Sequence, residues 1–122
     1  MLLHLLKSKL HCAVVTEADP DYEGSIAIAR DLMEAAGLLP GEKVLVANVE
    51  NAHRFETYVI PAPAGSGTIG LNGAAALLGS PGDRVIIMAW GIFSEEEARA
   101  HAPTVVRLTR ENGVEARFPM PR

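Results

Sequence analysis

A glycine and a serine stand side by side at Gly24-Ser25, within the turn-rich stretch EADPDYEGS. A serine hydroxyl can attack the carbonyl of the peptide bond before it, and a preceding glycine adds no Cβ bulk there and permits unusual backbone angles. The attack would convert the amide to an ester, and β-elimination followed by hydrolysis would leave a pyruvoyl group. Most Gly-Ser pairs simply form turns, so this hypothesis needs support from other residues.

Three further residues have side chains that could do chemistry, and each also has an ordinary structural role. Arg54 can hold a carboxylate through two parallel hydrogen bonds, and Lys9 supplies a second cation. Tyr58 has a hydroxyl that can donate a proton. Each has a plain structural alternative: Lys9 and His11 on a solvated edge strand, Arg54 in a surface ion pair with Glu56, and Tyr58 in the core.

Length, charge and cysteine content limit the class of protein. The 122 residues suffice for one domain with a single core. A formal charge of −4 leaves no basic stripe for nucleic acid or an anionic membrane, so we expect neither partner. One cysteine and four histidines without ligand spacing argue against a disulfide and a metal site. Basic residues interrupt the apolar start, so we expect no membrane span and a cytoplasmic protein.

The hydrophobic pattern predicts a mainly β domain with short helices, resembling a barrel. Strands are expected at 8–16, 25–29, 43–49, 54–60 and 83–90 and in a terminal hairpin of VVRLT and VEARF, about six in all. Short helices are expected before a Gly37 cap, from Asn72 to Gly79, and after a capping box from Ser94 to Glu97. The stretch DRVIIMAW is apolar enough to predict a strand buried on both faces.

Strand alternation gives two more expectations. It places Lys9 and His11 on one face of the first strand, and Leu10 and Cys12 on the other. It also places neighbouring residues of RFETY, at 54–58, on opposite faces. The last two residues of that motif would then reach one pocket only through a bulge, a strand end or a site between subunits.

Five motifs in a fixed order carry a resemblance to a known family. They are KLH at 9–11, TEAD at 16–19, YEGS at 22–25, RFETY at 54–58 and NGAA at 72–75, supported by GDRVII at 82–87 and EEEAR at 95–99. Together they resemble the pyruvoyl-dependent aspartate alpha-decarboxylases, which make β-alanine for pantothenate synthesis. The resemblance runs from Lys9 to about Ala98. It implies a double-psi β-barrel and a homotetramer with active sites between subunits.

The same resemblance implies individual roles and a substrate, L-aspartate. Ser25 would become the pyruvoyl group after cleavage of the Gly24-Ser25 bond, which would give chains 1–24 and 25–122. Tyr58 would be the proton donor, and Thr57 would assist self-processing. The substrate-binding residues would be Lys9, Arg54, Thr57, Gly73, Ala74 and Ala75, with His11, Tyr22 and Asn72 in support. The pyruvoyl group is then the cofactor, with no metal and no pyridoxal phosphate expected.

Two positions depart from the family's pattern, and two other functions compete. Cys12 stands where a basic residue is expected, and Ala29 where an acidic residue is common; neither touches the implied chemistry. The main alternative is a small β-barrel that never cleaves and serves as a binding or oligomerisation module. A pyridoxal-dependent decarboxylase fits less well, because Lys7, Lys9 and Lys43 lie in no recognisable cofactor motif.

Overall fold

A computed structural model describes residues 1–121, which form strands joined by tight turns and three short helical segments. The strands are β1 (Leu2–Val14), β2 (Glu17–Asp19), β3 (Ser25–Ala29), β4 (Lys43–Asn48), β5 (Arg54–Ala62), β6 (Ile69–Asn72), β7 (Arg84–Ser94), β8 (Thr104–Leu108) and β9 (Val114–Pro119). The helices are α1 (Arg30–Ala36), α2 (Glu95–Ala100) and a 3-10 helix at Gly73–Leu77. The described residues thus contain more strands than the six expected.

The strands form one sheet in the order β2-β6-β3-β5-β4-β7-β1-β8-β9. Just beyond β1, the backbone N–H of Thr16 donates to the carbonyl oxygen of Ile69 at 2.8 Å, which joins the β1 side of the sheet to β6. The buried Asn112 ties the β8–β9 turn to Val14 and Gly67 through its side chain. The sheet therefore curls around one core. The mainly β fold with short helices is confirmed, while the double-psi crossing stays a prediction.

Alternate residues of the central strands fill that core. The largest fully buried side chains are Leu10, Ile26, Ile28, Leu32, Ile69, Leu71, Ile87, Val15, Val44, Val46, Val59 and Val85. Each contributes roughly 1.5–3 kcal/mol relative to an exposed position. In β7 only every second residue is buried, and Trp90 is exposed. The expectation that this strand is buried on both faces was wrong, because no layer of the described chain covers its outer side.

The first strand is longer and less regular than predicted. It begins at Leu2, because residues 2–6 pair with β7. A bulge between Leu10 and Ala13 contains Cys12, whose φ is 61°. Because one inserted residue moves the following side chains to the other face, Leu10 and Ala13 are fully buried, whereas Cys12 is only half-buried. The predicted pairing of Leu10 with Cys12 on one face was wrong.

Predictions that rested on local signals are confirmed. Gly37 ends α1 in the left-handed conformation with φ 68°. Ser94 and Glu97 form both hydrogen bonds of a capping box at α2. The antiparallel pairs β4–β5 and β8–β9 are the two predicted hairpins. None of the helices within residues 1–121 combines the length and the apolar character needed to cross a bilayer.

Candidate active site

Ser25 is the first residue of β3 and is only 1% exposed. It lies directly opposite Asn72 in the antiparallel β3–β6 pair, and Asn72 Nδ2 donates a hydrogen bond to Ser25 Oγ at 2.9 Å. Asn72 precedes the 3-10 helix as predicted, but its side chain does not cap that helix. Its amide instead donates to Ser25. Because Ser25 Oγ accepts this bond, its own proton stays available for transfer.

Burial separates Ser25 from the other serines that follow a glycine. The chain has two more such pairs, Gly65-Ser66 and Gly79-Ser80. Both of those serines are exposed in loops. Of the three pairs, only Gly24-Ser25 combines a loop on one side of the bond with a buried strand on the other.

Gly73 brings the 3-10 helix against the loop that precedes Ser25. Its φ is +67°, and a Cβ placed there would lie 2.7 Å from Gly24 Cα and 3.2 Å from the Tyr22 carbonyl oxygen. Only glycine fits this contact. Gly24, in contrast, has an ordinary φ and open space where its Cβ would be. The uncleaved chain therefore does not use the wider backbone freedom that a glycine permits at this position.

A cavity of about 370 Å³ opens beside the Gly24-Ser25 bond. It is lined by Gly24, Phe55, Glu56, Thr57, Tyr58, Asn72, Ala74, Ala75 and Leu78. The first β3–β5 pair joins Ile26 to Val59, so residues 54–58 extend past β3 and pair with β4 alone. The free edge of this segment forms the cavity wall. Thr57 and Tyr58 both line this cavity without a bulge between them, because the free strand edge is open to it.

The cavity wall carries hydroxyl and amide groups and the Glu56 carboxylate, but no cation from residues 1–121. Tyr58 is 43% exposed, and Thr57 is half-buried. No lysine, arginine or histidine of residues 1–121 lines this cavity. Lys43 lies opposite Tyr58 on β4, but its ammonium is paired with Glu56 at 2.6 Å. Two carboxylates of a ligand would find no free cation here among the described residues of one chain.

The predicted carboxylate-binding residues lie elsewhere. Arg54 is exposed at the first position of β5 and does not line the cavity. Lys9 and His11 lie on β1, which β4 and β7 separate from β5 in the sheet. The Tyr22 side chain is exposed, and only its carbonyl oxygen approaches Gly73. The structure thus brings Ser25, Thr57, Tyr58, Asn72 and residues 73–75 together, and leaves the basic residues apart.

Sequence reasoning missed one residue beside the basic pair. Arg107 lies opposite His11 in the parallel β1–β8 register. Burial, and then the charges of Lys9 and Arg107, hold the pKa of His11 below its usual value. Nothing local in the sequence marks Arg107, because only the pairing of two distant strands brings it to His11. Within the described chain, no three His, Cys, Asp or Glu side chains are close enough to bind a metal.

Comparison with known proteins finds relatives along nearly the whole chain. The aspartate decarboxylase family matches residues 1–115. The chain is 56% identical over 114 residues to a protein of Phenylobacterium zucineum named aspartate 1-decarboxylase, covering 93% of this chain and 97% of that protein. It is 57% identical over 112 residues to the aspartate 1-decarboxylase of Caulobacter vibrioides, with 92% and 95% covered. It is also 56% identical over 108 residues to the aspartate 1-decarboxylase of Heliobacterium modesticaldum, covering 88% of this chain and 82% of that protein.

Proposed function

Because the chain belongs to the aspartate decarboxylase family, we propose that it converts L-aspartate to β-alanine and carbon dioxide with a pyruvoyl group made from its own Ser25. The observation that carries the proposal is a buried serine, bonded to Asn72, at the edge of a cavity of about 370 Å³. As part of the same proposal, the β-alanine supplies pantothenate and coenzyme A synthesis in the cytoplasm, as the family resemblance implies.

Self-cleavage begins with attack of Ser25 Oγ on the carbonyl carbon of Gly24. The C–N bond breaks, a C–O ester bond forms, and the hydroxyl proton passes to the nitrogen. Loss of the Ser25 Cα proton then expels the carboxylate of residues 1–24 and leaves dehydroalanine. Water adds, ammonia leaves, and the keto group remains at the start of residues 25–122.

The surrounding residues suit this reaction. The Asn72 amide fixes Ser25 Oγ, and the missing Cβ of Gly24 leaves open space beside the attacked carbonyl. Thr57 lies on the wall of the cavity that Gly24 also lines. A hydroxyl at that position can donate to the Gly24 carbonyl oxygen as negative charge develops on it. A buried serine, a donor amide and a second hydroxyl thus support self-processing at this bond.

In the mature chain, the residues of the cavity bind and orient the amino acid. A pyruvoyl group supplies an electrophilic carbonyl that draws off the electrons left when carbon dioxide departs. Ala74 and Ala75 keep side-chain bulk out of the cavity, so that backbone N–H groups can approach a ligand. The Tyr58 hydroxyl holds a proton at the cavity wall, where it can be delivered to the product carbon.

The missing cations come, in this proposal, from another copy of the chain in a homotetramer. The outer side of β7 and β1 exposes a patch that includes Leu2, Trp90 and Ile92, at 69%, 47% and 63% exposure. The β1–β7 register places the three near one another, and a groove of about 390 Å³ runs beside Trp90 and Ile92. Apolar surface of this kind typically marks a protein interface. Assembly through it would allow Lys9, His11 and Arg54 to complete a cavity that belongs to a neighbour.

Mass spectrometry of the denatured protein tests the cleavage. We expect residues 1–24 and 25–122 as separate species, whose summed mass reflects one water gained and one ammonia lost. Simple hydrolysis of the Gly24-Ser25 bond would add one water to the summed mass and release no ammonia. Ser25→Ala should remain one chain and release no carbon dioxide from aspartate.

The other two Gly-Ser pairs provide matched controls. Ser66→Ala and Ser80→Ala change the same dipeptide in exposed loops and should cleave like the parent. A fully active protein with an intact amide at residue 25 would refute the proposal. A chain that stays intact and releases no carbon dioxide would favour the binding or oligomerisation module instead.

A further inference from the structure

Three basic side chains share the outer face of the β1–β8 ladder. In the parallel register His11 lies opposite Arg107, and Lys9 precedes His11 by two residues. Because alternate residues of a strand project from the same face, the three side chains are neighbours. The guanidinium carbon of Arg107 lies 5.2 Å from the ring centre of Phe118 on β9, a contact that holds the charge on this face. We call these three side chains the cationic cluster.

Among residues 1–121, no carboxylate forms an ion pair with the cationic cluster. The ion pairs among residues 1–121 are Lys7–Glu42, Lys43–Glu56 and Arg84–Glu50. His11 Nδ1 is shielded from solvent and has no hydrogen-bond partner in the described chain. Burial is the largest cause of the lowered pKa of His11, and repulsion from Lys9 and Arg107 adds to it. In a chain with a formal charge of −4, three adjacent basic groups without an anion are suited to an anionic ligand.

We propose that Arg107 is a substrate-binding residue, which together with Lys9 and His11 holds one carboxylate of a dicarboxylic amino acid in the Ser25 cavity of a neighbouring copy. This rests on the proposed function, since it takes that amino acid to be aspartate. The guanidinium of Arg107 offers paired donors to a carboxylate, Lys9 adds a compact charge, and His11 Nδ1 gains the partner it lacks. A monocarboxylic amino acid would leave the cluster unbalanced, so Arg107 favours substrates with two carboxylates.

Steady-state kinetics of Arg107→Gln test this role. The KM for L-aspartate should rise about 2- to 10-fold, a range suited to a partly solvent-screened charged contact, while kcat and self-cleavage stay unchanged. Arg107→Lys keeps the charge and should recover part of the loss. Arg110→Gln is the matched control, because Arg110 is an exposed arginine in the next turn and its loss changes the net charge equally. That control should leave KM unchanged.

Proton NMR of the His11 ring measures the pKa of His11, and so tests ligand binding to the cationic cluster without catalysis. Succinate, a dicarboxylate that has no amine to react, should raise the pKa of His11 in the parent protein. Arg107→Gln should raise that pKa before any ligand is added, because one positive neighbour is gone, and should weaken the response to succinate. A purely structural role for Arg107 would still raise the pKa of His11 in the variant, but it would leave the response to succinate unchanged.

Three outcomes would overturn the proposal: an unchanged KM in Arg107→Gln, an equal rise of KM in Arg110→Gln, or a His11 pKa that does not change when succinate is added. Failure of the proposed function looks different. It appears in the mass spectrum of the parent protein as an uncleaved chain, before any kinetic measurement is made.

Discussion

Replacing Gly73 with alanine tests whether the contact between the 3-10 helix and residues 22–24 positions the Gly24-Ser25 bond for the proposed cleavage. An alanine at φ +67° costs about 1–2 kcal/mol. Its Cβ would also lie 2.7 Å from Gly24 Cα and 2.9 Å from Gly24 N. Both are backbone atoms, so the overlap is relieved only by moving a segment of chain, at a cost of about 1–3 kcal/mol. We expect Gly73→Ala to lower the free energy of unfolding by about 2–5 kcal/mol, the sum of these two costs.

The loop before Ser25 should absorb most of that movement. Gly24 is exposed, whereas Gly73 is buried, so the loop is displaced more easily than the helix. Displacement moves the Gly24 carbonyl away from Ser25 Oγ, and self-cleavage should slow. Gly37→Ala is the matched control: its φ is +68° and nothing lies within 4 Å of its Cβ position, so it should cost only the backbone part, about 1–2 kcal/mol. Gly24→Ala has neither penalty and should leave stability nearly unchanged.

Two measurements separate stability from processing. Urea denaturation of each glycine variant in a Ser25→Ala background, at one protein concentration, compares chains that all remain uncleaved. A time course of intact mass in the Ser25 background gives the cleavage rate. Equal stability losses in Gly73→Ala and Gly37→Ala, or normal cleavage in Gly73→Ala, would refute the idea that this contact positions the bond.

Two further predictions concern side chains. Asn72→Ala removes the only side-chain donor to Ser25 Oγ among residues 1–121 and should slow self-cleavage about 2- to 10-fold, the worth of one hydrogen bond; an unchanged rate by intact mass would mean that Asn72 does not orient the hydroxyl. Glu50 has a lowered pKa because Arg84 donates side-chain and backbone hydrogen bonds to it. A group whose pKa is lower in the folded state stabilises the fold at pH values above its unfolded-state pKa. This stabilisation is lost as the pH falls through the folded-state pKa. The Tm of Glu50→Gln should therefore lie below the parent Tm at neutral pH and close to it in acid. A variant with the same Tm as the parent at every pH would contradict this.

Elements whose signals lie within a few residues could be predicted from the sequence. Gly37 ends α1 because a left-handed residue completes the last turn, and Ser94 begins α2 because its hydroxyl and the Glu97 carboxylate are within reach of each other's backbone. Both interactions are decided inside one turn of chain. The two hairpins follow the same rule, since each joins neighbouring apolar runs across a short turn.

Features that depend on distant pairing were missed. β1 begins at Leu2 only because β7 pairs with it there, and the bulge at Cys12 appears only when the two strands are aligned. The same holds at the site. The family resemblance brought Ser25 and Asn72 into one set, but their hydrogen bond depends on the β3–β6 register. Arg107 belongs to no local motif, and only the β1–β8 pairing reveals its neighbours.

Under the proposed function, one chain contains two incomplete halves of a site for a dicarboxylic amino acid. Among residues 1–121, the cavity beside Ser25 offers hydroxyl, amide and carboxylate groups without a cation. The cationic cluster on β1 and β8 is separated from it by β4 and β7 and has no ion-pair partner in that part of the chain. Symmetric assembly would bring each half to the complementary half of a neighbour. Coexpression of Ser25→Ala with Lys9→Ala chains tests this arrangement.

In a randomly mixed assembly, about a quarter of the sites would pair an intact Ser25 from one parent with an intact Lys9 from the other. Each variant alone should release little carbon dioxide at low aspartate concentration, so the mixture should regain about a quarter of the parent activity. If both halves of the site came from the same chain, no pairing of these variants could restore a complete one. A mixture that releases only the average of its two components would therefore place Ser25 and Lys9 in one subunit and remove the need for a neighbour.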